Sequence, residues 1–264
     1  MRNLLQNRPA VSYSERGRGP TVILLHAFPL SSAMWSAQLD ALSDRYRVIA
    51  PDLPGFGRSS VQPGWTVDSA ADMLAELCDE LGVPGPVVVG GLSMGGYVAL
   101  AFARRHPDRL RGLILADTKA DPDTDEAKAN RDRMMAFATE HGSAAVIDAM
   151  IGKMVGDTTK SERPAVVAAV RELAAAQSPD GIVAALKALR DRPDAVPGLG
   201  GILAPTLVLV GADDVLTPPS TARHMAAAIP KAWLDVLPSV GHLANLEVPE
   251  AFTAAVRGFL DGLA

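Results

Sequence analysis

Short apolar runs alternate with segments of helical length along most of the chain, and this alternation constrains the fold more than any other feature. Each run is rich in Val, Ile or Leu and is bounded by Gly, Pro or Asp, as is typical of strands buried on both faces. We predict strands at 21–26, 46–50, 86–90, 110–117, 205–211 and 232–237. We predict helices at 31–43, 66–81, 94–105, 219–229 and 249–262. The chain is therefore predicted to form an α/β fold, with a mostly parallel sheet flanked by helices and an antiparallel hairpin near residues 3–15.

The alternation is interrupted once, between residues 119 and 200, where no convincing strand occurs. Periodicity there predicts four helices, at 125–140, 143–154, 162–177 and 179–191. Gly142 is placed to end the first helix, and serines are placed to cap the next three, at Ser143, Ser161 and Ser178. We therefore predict an all-helical insertion at 119–200, after the sixth strand, in a core domain formed by residues 1–118 and 201–264.

Composition excludes several classes of protein. With 264 residues, of which 48% are hydrophobic, the chain can bury the core of one large α/β domain or of two small ones, and a single domain with an insertion fits both. Its net charge is −5 and its basic residues are scattered, so neither nucleic acid nor an anionic membrane is predicted as a partner. The N-terminal sequence lacks the apolar stretch of a signal peptide, and no apolar run reaches the roughly 18 residues of a membrane span. We therefore predict a soluble cytoplasmic protein, in which the single cysteine, Cys78, is a buried structural thiol.

A serine among glycines lies at the junction of a predicted strand and a predicted helix. The segment Gly91-Leu92-Ser93-Met94-Gly95 matches the pattern G-x-S-x-G. A sharp turn at this junction needs small neighbours and would expose the serine hydroxyl at the carboxyl end of the sheet. The rival interpretation is a phosphate-binding loop, but neither G-x-G-x-x-G nor G-x-x-x-x-G-K-S/T fits these residues. We therefore predict that Ser93 is a nucleophile.

A serine hydroxyl needs a general base that accepts its proton. His242 follows the last predicted strand and precedes the last predicted helix, at the sheet edge where open α/β sheets bind ligands. Three other histidines are better explained as surface or capping residues, namely His106, His141 and His224. We therefore predict that His242 is the base.

The base in turn needs a carboxylate that orients it, and in chain order this acid should fall between the serine and the histidine, at the end of a strand. The segment GADDVLTPP directly follows a predicted strand and offers two neighbouring aspartates. We favour Asp214 as the orienting acid and interpret Asp213 as a solvated neighbour. Asp117, at the end of another predicted strand, is the alternative acid.

Five motifs resemble the α/β-hydrolase fold family, in order and spacing, over nearly the whole chain. They are HAFPL (26–30), DLPGFGRS (52–59), GGLSMGG (90–96), GADDVLTP (211–218) and VGHLANLE (240–247). The resemblance implies a catalytic triad of Ser93, Asp214 and His242, and it implies that the insertion at 119–200 is the helical cap of the family. The segments GLSMGG, LADTKA and GHLANLEVPEAF also resemble enol-lactonases of the 3-oxoadipate type.

The chemistry also requires two backbone N–H groups that bind the developing oxyanion. We predict that Met94, at the N-terminus of a helix, supplies one and that Phe28 supplies the other. His26 is predicted to hold its loop rather than to catalyse, and Asp52 is given no catalytic role. The substrate pocket is predicted to include His26 and methionines of the insertion, at Met134, Met135, Met150 and Met154. These methionines fit a core-filling role equally well.

Together these residues predict a serine hydrolase that cleaves a small-molecule carboxylic ester or lactone through an acyl-enzyme intermediate. No metal or organic cofactor is predicted, because no cluster of His, Cys, Asp and Glu has ligand spacing. The resemblance leaves open two other reactions of the same triad, C–C bond hydrolysis and cofactor-free perhydrolysis or haloperoxidation. The alternative from another class is a protein that keeps the pocket and binds a small molecule without turnover. The oligomeric state is not predicted.

Overall fold

The sheet has seven strands in a computed structural model that describes residues 11–83 and 85–263. The strands are β1 (Tyr13–Arg16), β2 (Thr21–Leu25), β3 (Arg47–Pro51), β4 (Val87–Leu92), β5 (Leu110–Ala116), β6 (Thr206–Gly211) and β7 (Ala232–Leu237). Their order is β1-β3-β2-β4-β5-β6-β7, and within the described residues only the pairing of β1 with β3 is antiparallel. The predicted α/β fold with its mostly parallel sheet is confirmed. Residues 3–10 of the predicted hairpin lie outside the described residues, whereas residues 13–16 form β1.

Helices flank this sheet. In the described part of the chain they are α1 (Ser36–Leu42), α2 (Val67–Glu80), α3 (Met94–Arg105), α4 (Asp125–Met154), α5 (Asp157–Glu162), α6 (Pro164–Ala175), α7 (Pro179–Arg190), α8 (Pro219–Ala228), α9 (Ala244–Glu247) and α10 (Pro249–Asp261). The helix predicted at 31–43 is split into a 3-10 turn, Ser32–Trp35, and α1. The short helices α5 and α9 were not predicted. None of the described helices is long and apolar enough to cross a bilayer.

The sheet is covered on both faces, because successive side chains of a strand point to opposite faces. On one face Ile23 and Leu25 of β2 cluster with residues of α2, α3 and α8. On the other face Val22 and Leu24 of the same strand cluster with residues of α1 and α10. All four side chains are at most 1% exposed, and each contributes about 1.5–3 kcal/mol of hydrophobic stabilisation. The two cores fix the strands and therefore the loops at their carboxyl ends.

Helices α4 to α7 lie between β5 and β6, in the segment where the sequence predicts no strand. The insertion thus follows the fifth described strand, whereas the prediction after the sixth strand also counts the first strand of the hairpin, which lies outside the described residues. Gly142 interrupts α4 with a φ of 78°, a left-handed conformation that glycine adopts without strain, so the predicted break is confirmed. Ser178 caps α7 as predicted, because its side chain accepts a hydrogen bond from Gly181 N over 3.0 Å. Local turn chemistry therefore sets two of the helix boundaries in the insertion.

Two other predicted caps are wrong. Ser161 lies inside the unpredicted helix α5, and α6 begins only at Pro164, whose missing N–H suits the first turn of a helix. Ser143 follows the break in α4, but its hydroxyl donates to the carbonyl of Gln177 over 2.6 Å. This hydrogen bond joins α4 to the turn between α6 and α7, and no long-range contact of that kind could be foreseen from local sequence.

Buried polar contacts fasten the inserted helices to the loop that follows β7. The carboxylate of Glu247, in α9, accepts hydrogen bonds from Gly156 N over 2.9 Å and from Thr159 Oγ1 over 2.6 Å. In the same region His242 N donates to the carbonyl of Met154 over 3.2 Å. The end of α4 and the start of α5 are therefore held against the segment that carries His242.

Candidate active site

Ser93 lies on the turn between β4 and α3, at the carboxyl end of the sheet. Its φ of 54° and ψ of −111° are strained for a residue with a side chain, at a cost of about 1–3 kcal/mol. Two hydrogen bonds hold the turn. Ser93 N donates to the Ala116 carbonyl over 3.0 Å, and Thr118 Oγ1 donates to the Ser93 carbonyl over 2.9 Å. The end of the neighbouring strand β5 thus supports the strained residue.

Glycines flank Ser93 because backbone segments approach one another closely at this turn. A Cβ on Gly91 would lie 2.1 Å from the Gly95 carbonyl, and a Cβ on Gly95 would lie 2.2 Å from the Leu25 carbonyl oxygen. Both contacts involve backbone atoms of a packed interior, which cannot move aside as the end of a flexible side chain can. The pattern G-x-S-x-G therefore reflects the space available in the turn.

We expect Gly91→Ala to lower the free energy of unfolding by about 3 kcal/mol, because the new methyl group overlaps the backbone of Gly95. The matched control is Gly152→Ala in α4, where no described atom outside the helix backbone lies within 4 Å of the added Cβ. That change should raise the free energy of unfolding by about 0.5–1 kcal/mol, because alanine is the better helix former. Urea-induced unfolding measures both shifts, and a Gly91→Ala protein as stable as the wild type would contradict this account of the turn.

A hydrogen-bonded chain joins Ser93 to two side chains from loops that follow other strands. His242 lies in the loop after β7, and its Nε2 accepts a hydrogen bond from the Ser93 hydroxyl over 2.8 Å. On the other side of the ring Nδ1 donates to Asp214 Oδ2 over 2.8 Å. Both His242 and Asp214 are almost fully buried, so little water competes for these bonds. The structure thus brings the three predicted residues together in the order that general-base activation of a serine requires.

Asp214 is held in place by its own loop. Its Oδ1 accepts hydrogen bonds from Leu216 N over 2.8 Å and from Thr217 N over 3.0 Å, and its Oδ2 accepts the Thr217 hydroxyl over 2.6 Å. Burial opposes ionisation of this carboxyl group, but the facing imidazole of His242 and the bonds from Thr217 outweigh burial and hold its pKa below the ordinary value. Asp214 is therefore ionised at neutral pH and can stabilise a protonated imidazole.

The other two candidate acids do not bind the histidine. Asp213 is exposed, as the sequence predicts. Asp117 is fully buried and its Oδ1 accepts a hydrogen bond from Gly211 N over 2.8 Å, but no hydrogen bond in the described structure joins it to His242. Burial and the neighbouring Asp214 raise the pKa of Asp117 well above the ordinary value, which disfavours the ionised form that an orienting acid needs. The geometry therefore favours Asp214.

Two residues that line the same cavity as Ser93 have backbone N–H groups without a protein partner in the described part of the chain. Phe28 and Met94 line a cavity of about 130 Å³ together with Ser93 and His242. Among the described residues neither N–H has a hydrogen-bond acceptor. Met94 is the first residue of α3, so its free N–H lies at the positive end of the helix dipole. Both groups are available to an anionic oxygen that enters this cavity.

A wider cavity of about 590 Å³ adjoins the cavity at Ser93. The two cavities share five of their lining residues, namely Phe28, Lys119, Arg131, Met150 and Leu216. Of the other predicted methionines, Met134 lines the wider cavity and Met154 lines the one at Ser93. Met135 lines neither of these two cavities and packs partly buried against the core.

His26 is predicted both to hold its loop and to border the pocket, and in the structure its ring is hydrogen-bonded within its own loop region. The ring is fully buried, and its Nε2 accepts a hydrogen bond from Leu53 N over 2.9 Å. Its Nδ1 donates a hydrogen bond to the Ala27 carbonyl over 3.0 Å, and its centroid lies 5.1 Å from that of the Phe56 ring. Burial lowers its pKa to about 4. His26 lines neither cavity, because the loop uses both of its nitrogens.

The remaining histidines lie away from the site. His106 ends α3 and contacts a carboxylate of α2, whereas His141 and His224 are exposed. These positions agree with the predicted surface and capping roles. Within the described ranges no three His, Cys, Asp or Glu side chains are grouped so that they could hold a metal ion.

Sequence reasoning missed several polar residues that border the cavities. Lys119 lines both cavities, and Thr217 donates a hydrogen bond to Asp214. Each lies in a loop that follows the carboxyl end of a strand, and this position is the signal that could have identified them. Arg131 lies in α4 and also lines both cavities. Its direction depends on how the inserted helices pack, which periodicity alone does not fix.

Comparisons with known proteins agree with this architecture. Residues 20–249 match the family model for the alpha/beta hydrolase fold. A thermophilic esterase from Thermogutta terrifontis, solved with malate bound, is 44% identical and has a TM-score of 0.94 over 96% of this chain and 93% of that chain. The enol-lactonase from Burkholderia xenovorans LB400 is 29% identical, with a TM-score of 0.88 over 95% of this chain and 96% of that chain. A protein of Caulobacter sp. (strain K31), provisionally named carbamate hydrolase RutD, is 35% identical over 95% of this chain and 96% of its own length.

The matched residues include every part of the candidate site, from Phe28 in the loop after β2 to His242 in the loop after β7. The relatives in these comparisons are named as an esterase, an enol-lactonase and a carbamate hydrolase. The chain therefore belongs to the alpha/beta hydrolase fold family and is an enzyme of that family, as its five motifs imply.

Proposed function

We propose that the protein is a serine hydrolase that cleaves a carboxylic ester or a lactone through an acyl-enzyme intermediate. The observation that carries this proposal is the chain of two hydrogen bonds, each 2.8 Å long, from Ser93 through His242 to Asp214. A serine hydroxyl becomes an effective nucleophile only when a base takes its proton. In this protein the hydroxyl, the base and the acid that orients the base are already in contact.

The first half-reaction acylates the serine. Ser93 Oγ attacks the carbonyl carbon while its proton passes to Nε2 of His242, and the ionised Asp214 stabilises the imidazolium that forms. The carbonyl oxygen gains negative charge and accepts hydrogen bonds from the N–H groups of Phe28 and Met94. The bond between the carbonyl carbon and the alcohol oxygen then breaks, and His242 gives its proton to that oxygen.

The second half-reaction restores the free enzyme. His242 takes a proton from water, and the resulting hydroxide attacks the acyl carbon of the acyl-enzyme. The same N–H groups bind the second oxyanion, and the bond to Ser93 Oγ breaks as His242 returns its proton to the serine. For an ester the products are a carboxylic acid and an alcohol, whereas a lactone gives one hydroxy acid because both groups belong to the same molecule.

Two relatives support esters and lactones as the substrate class. One is the esterase with 44% identity and the other is the enol-lactonase with 29% identity. We also propose that residues 119–200 form the helical cap of the family and close the substrate pocket. This proposal is supported by α4, since Met134 and Met150 of that helix line the wider cavity.

Steady-state hydrolysis of p-nitrophenyl acetate, butyrate and octanoate by the purified protein tests the proposal. We expect saturable release of p-nitrophenol from the acetate and the butyrate, without added metal or cofactor. The relative rates of the three esters then measure how much acyl chain the cavities accept. Binding of these esters without steady turnover would contradict the proposal and favour a small-molecule binding role.

A further inference from the structure

Lys119 is a partly buried cation that forms no ion pair in the described structure and that borders both candidate substrate cavities. Lys119 follows β5 and lines both the cavity that contains Ser93 and the wider cavity beside it. Its side chain is partly buried, and no carboxylate in residues 11–83 or 85–263 forms an ion pair with it. A charged group that loses water is stabilised by a partner of opposite charge. An anionic ligand would supply the missing partner.

The buried carboxylate of this region is already shared by two arginines. Asp123 accepts a hydrogen bond from Arg192 Nη1 over 2.6 Å and another from Arg131 Nε over 3.0 Å. Burial and the positive charges of Arg192 and Arg131 lower the pKa of Lys119, although the negative charges of Asp123 and Asp121 oppose this shift without forming an ion pair with the ammonium group. The two Nη groups of Arg131 have no acceptor among the described residues, so a second set of donors is available beside Lys119.

The wider cavity has two further cations in its lining. Arg133 and Lys153 of α4 line it together with Lys119 and Arg131, and Asp123 is the one acidic residue in the described lining. The rest of the wall is largely apolar and includes Phe28, Met134, Phe137, Met150, Leu186 and Leu216. A complementary ligand therefore has an apolar body and at least one anionic group.

We propose that the substrate is an ester or lactone that carries a carboxylate, and that Lys119 and the free Nη groups of Arg131 bind this carboxylate. The inference rests on the proposed function, since it names the substrate class of the same site. A carboxylate fits because its two coplanar oxygens match a pair of guanidinium donors, while the ammonium group supplies a compact positive charge. Lys119 and Arg131 determine specificity in this arrangement, and Ser93 performs the acyl transfer.

Two methyl esters of the same shape separate charge from size. Monomethyl glutarate carries a carboxylate, whereas methyl 4-carbamoylbutanoate has a neutral primary amide in its place. We expect Lys119→Met to lower kcat/KM for monomethyl glutarate by about ten- to a hundredfold, the range for a hydrogen bond to a charged group. The amide ester loses no charge pair in the same variant, so its kcat/KM should fall by less than about tenfold, and the remaining activity shows that the variant is folded. Lys119→Arg should keep the preference for the carboxylate, because it keeps the positive charge.

The matched control is Lys231→Met. Lys231 is exposed, and its carbonyl accepts a hydrogen bond from Thr206 N at the amino ends of β6 and β7, opposite the candidate site. This variant also removes one positive charge, but kcat/KM for both esters should stay at the wild-type value. A wild-type protein that hydrolyses the two esters with equal kcat/KM would overturn the inference, and so would a Lys119→Met variant that loses both activities equally.

Calorimetric binding to Ser93→Ala distinguishes a failure of this inference from a failure of the proposed hydrolysis, because binding needs no turnover. Ser93→Ala should bind monomethyl glutarate more tightly than the amide ester, and adding Lys119→Met should abolish that difference. If neither ester is hydrolysed but this charge-dependent binding is found, the hydrolytic proposal fails and the carboxylate site is supported. Equal affinity of Ser93→Ala for the two esters, or binding of neither, would overturn the carboxylate site.

Discussion

Ser93→Ala is expected to hydrolyse p-nitrophenyl butyrate about 10⁶-fold more slowly than the wild type, as is typical when the nucleophile of a serine hydrolase is removed. The alanine leaves His242 with no hydroxyl to deprotonate, so the acyl-enzyme cannot form. The side chain of Ser93 has His242 as its only hydrogen-bond partner among the described residues, so the fold should be preserved. Initial rates at saturating ester, with circular dichroism as a check on folding, measure the effect.

Ser220→Ala is the matched control for this change, since Ser220 is an exposed serine of α8. Ser220→Ala, purified by the same procedure, should keep wild-type activity, which shows that a serine-to-alanine change and the purification do not themselves reduce turnover. A Ser93→Ala protein that keeps more than about a tenth of wild-type turnover would show that the serine is not the nucleophile.

Asp214→Asn is expected to lower turnover by about 10⁴-fold. Asparagine keeps the size of the side chain but removes the charge that stabilises the imidazolium of His242. Its amide can also donate to Nδ1, and this would hold the imidazole in the tautomer that cannot accept the serine proton at Nε2. The loss should therefore appear in kcat, as measured with the same p-nitrophenyl esters.

Asp117→Asn and Asp213→Asn are the controls for the choice of acid. Each removes one of the carboxyl groups that compete with Asp214 in the sequence, and neither carboxyl group is hydrogen-bonded to His242 in the described structure. We expect both variants to keep turnover within about tenfold of the wild type, as is usual for changes outside the reacting groups. Near-normal turnover of Asp214→Asn, together with a collapse in Asp117→Asn, would move the acid to the end of β5.

Most of the sheet could be predicted because its strands are buried on both faces and so form continuous apolar runs. The run at 205–211, for example, corresponds to β6 at Thr206–Gly211. Helices α5 and α9 were missed because they contain only 6 and 4 residues, too few to show a helical period. The cap predicted at Ser161 failed for the same reason, since that residue belongs to the missed helix α5.

The candidate triad could be predicted because each of its residues lies in the turn or loop that follows a strand, and the strands are recognised from local sequence. Ser93 follows β4, and Asp214 and His242 lie in the loops after β6 and β7. The lining of the pocket could not be predicted in the same way. Met135 packs against the core, and Arg131 faces the cavities, because of how α4 packs against the rest of the chain.

Reaction with diethyl p-nitrophenyl phosphate, followed by peptide mass spectrometry, tests most directly whether Ser93 is the activated nucleophile. This compound places phosphorus where the acyl carbon of an ester would lie, and an activated serine displaces p-nitrophenol to give a phosphorylated serine that water releases slowly. We expect each protein molecule to release one p-nitrophenol and to carry an adduct on the peptide that contains Ser93. Ester hydrolysis should be lost in proportion to this labelling. An unlabelled Ser93 in a protein that still hydrolyses esters, or an adduct on another residue that accounts for the lost activity, would contradict it.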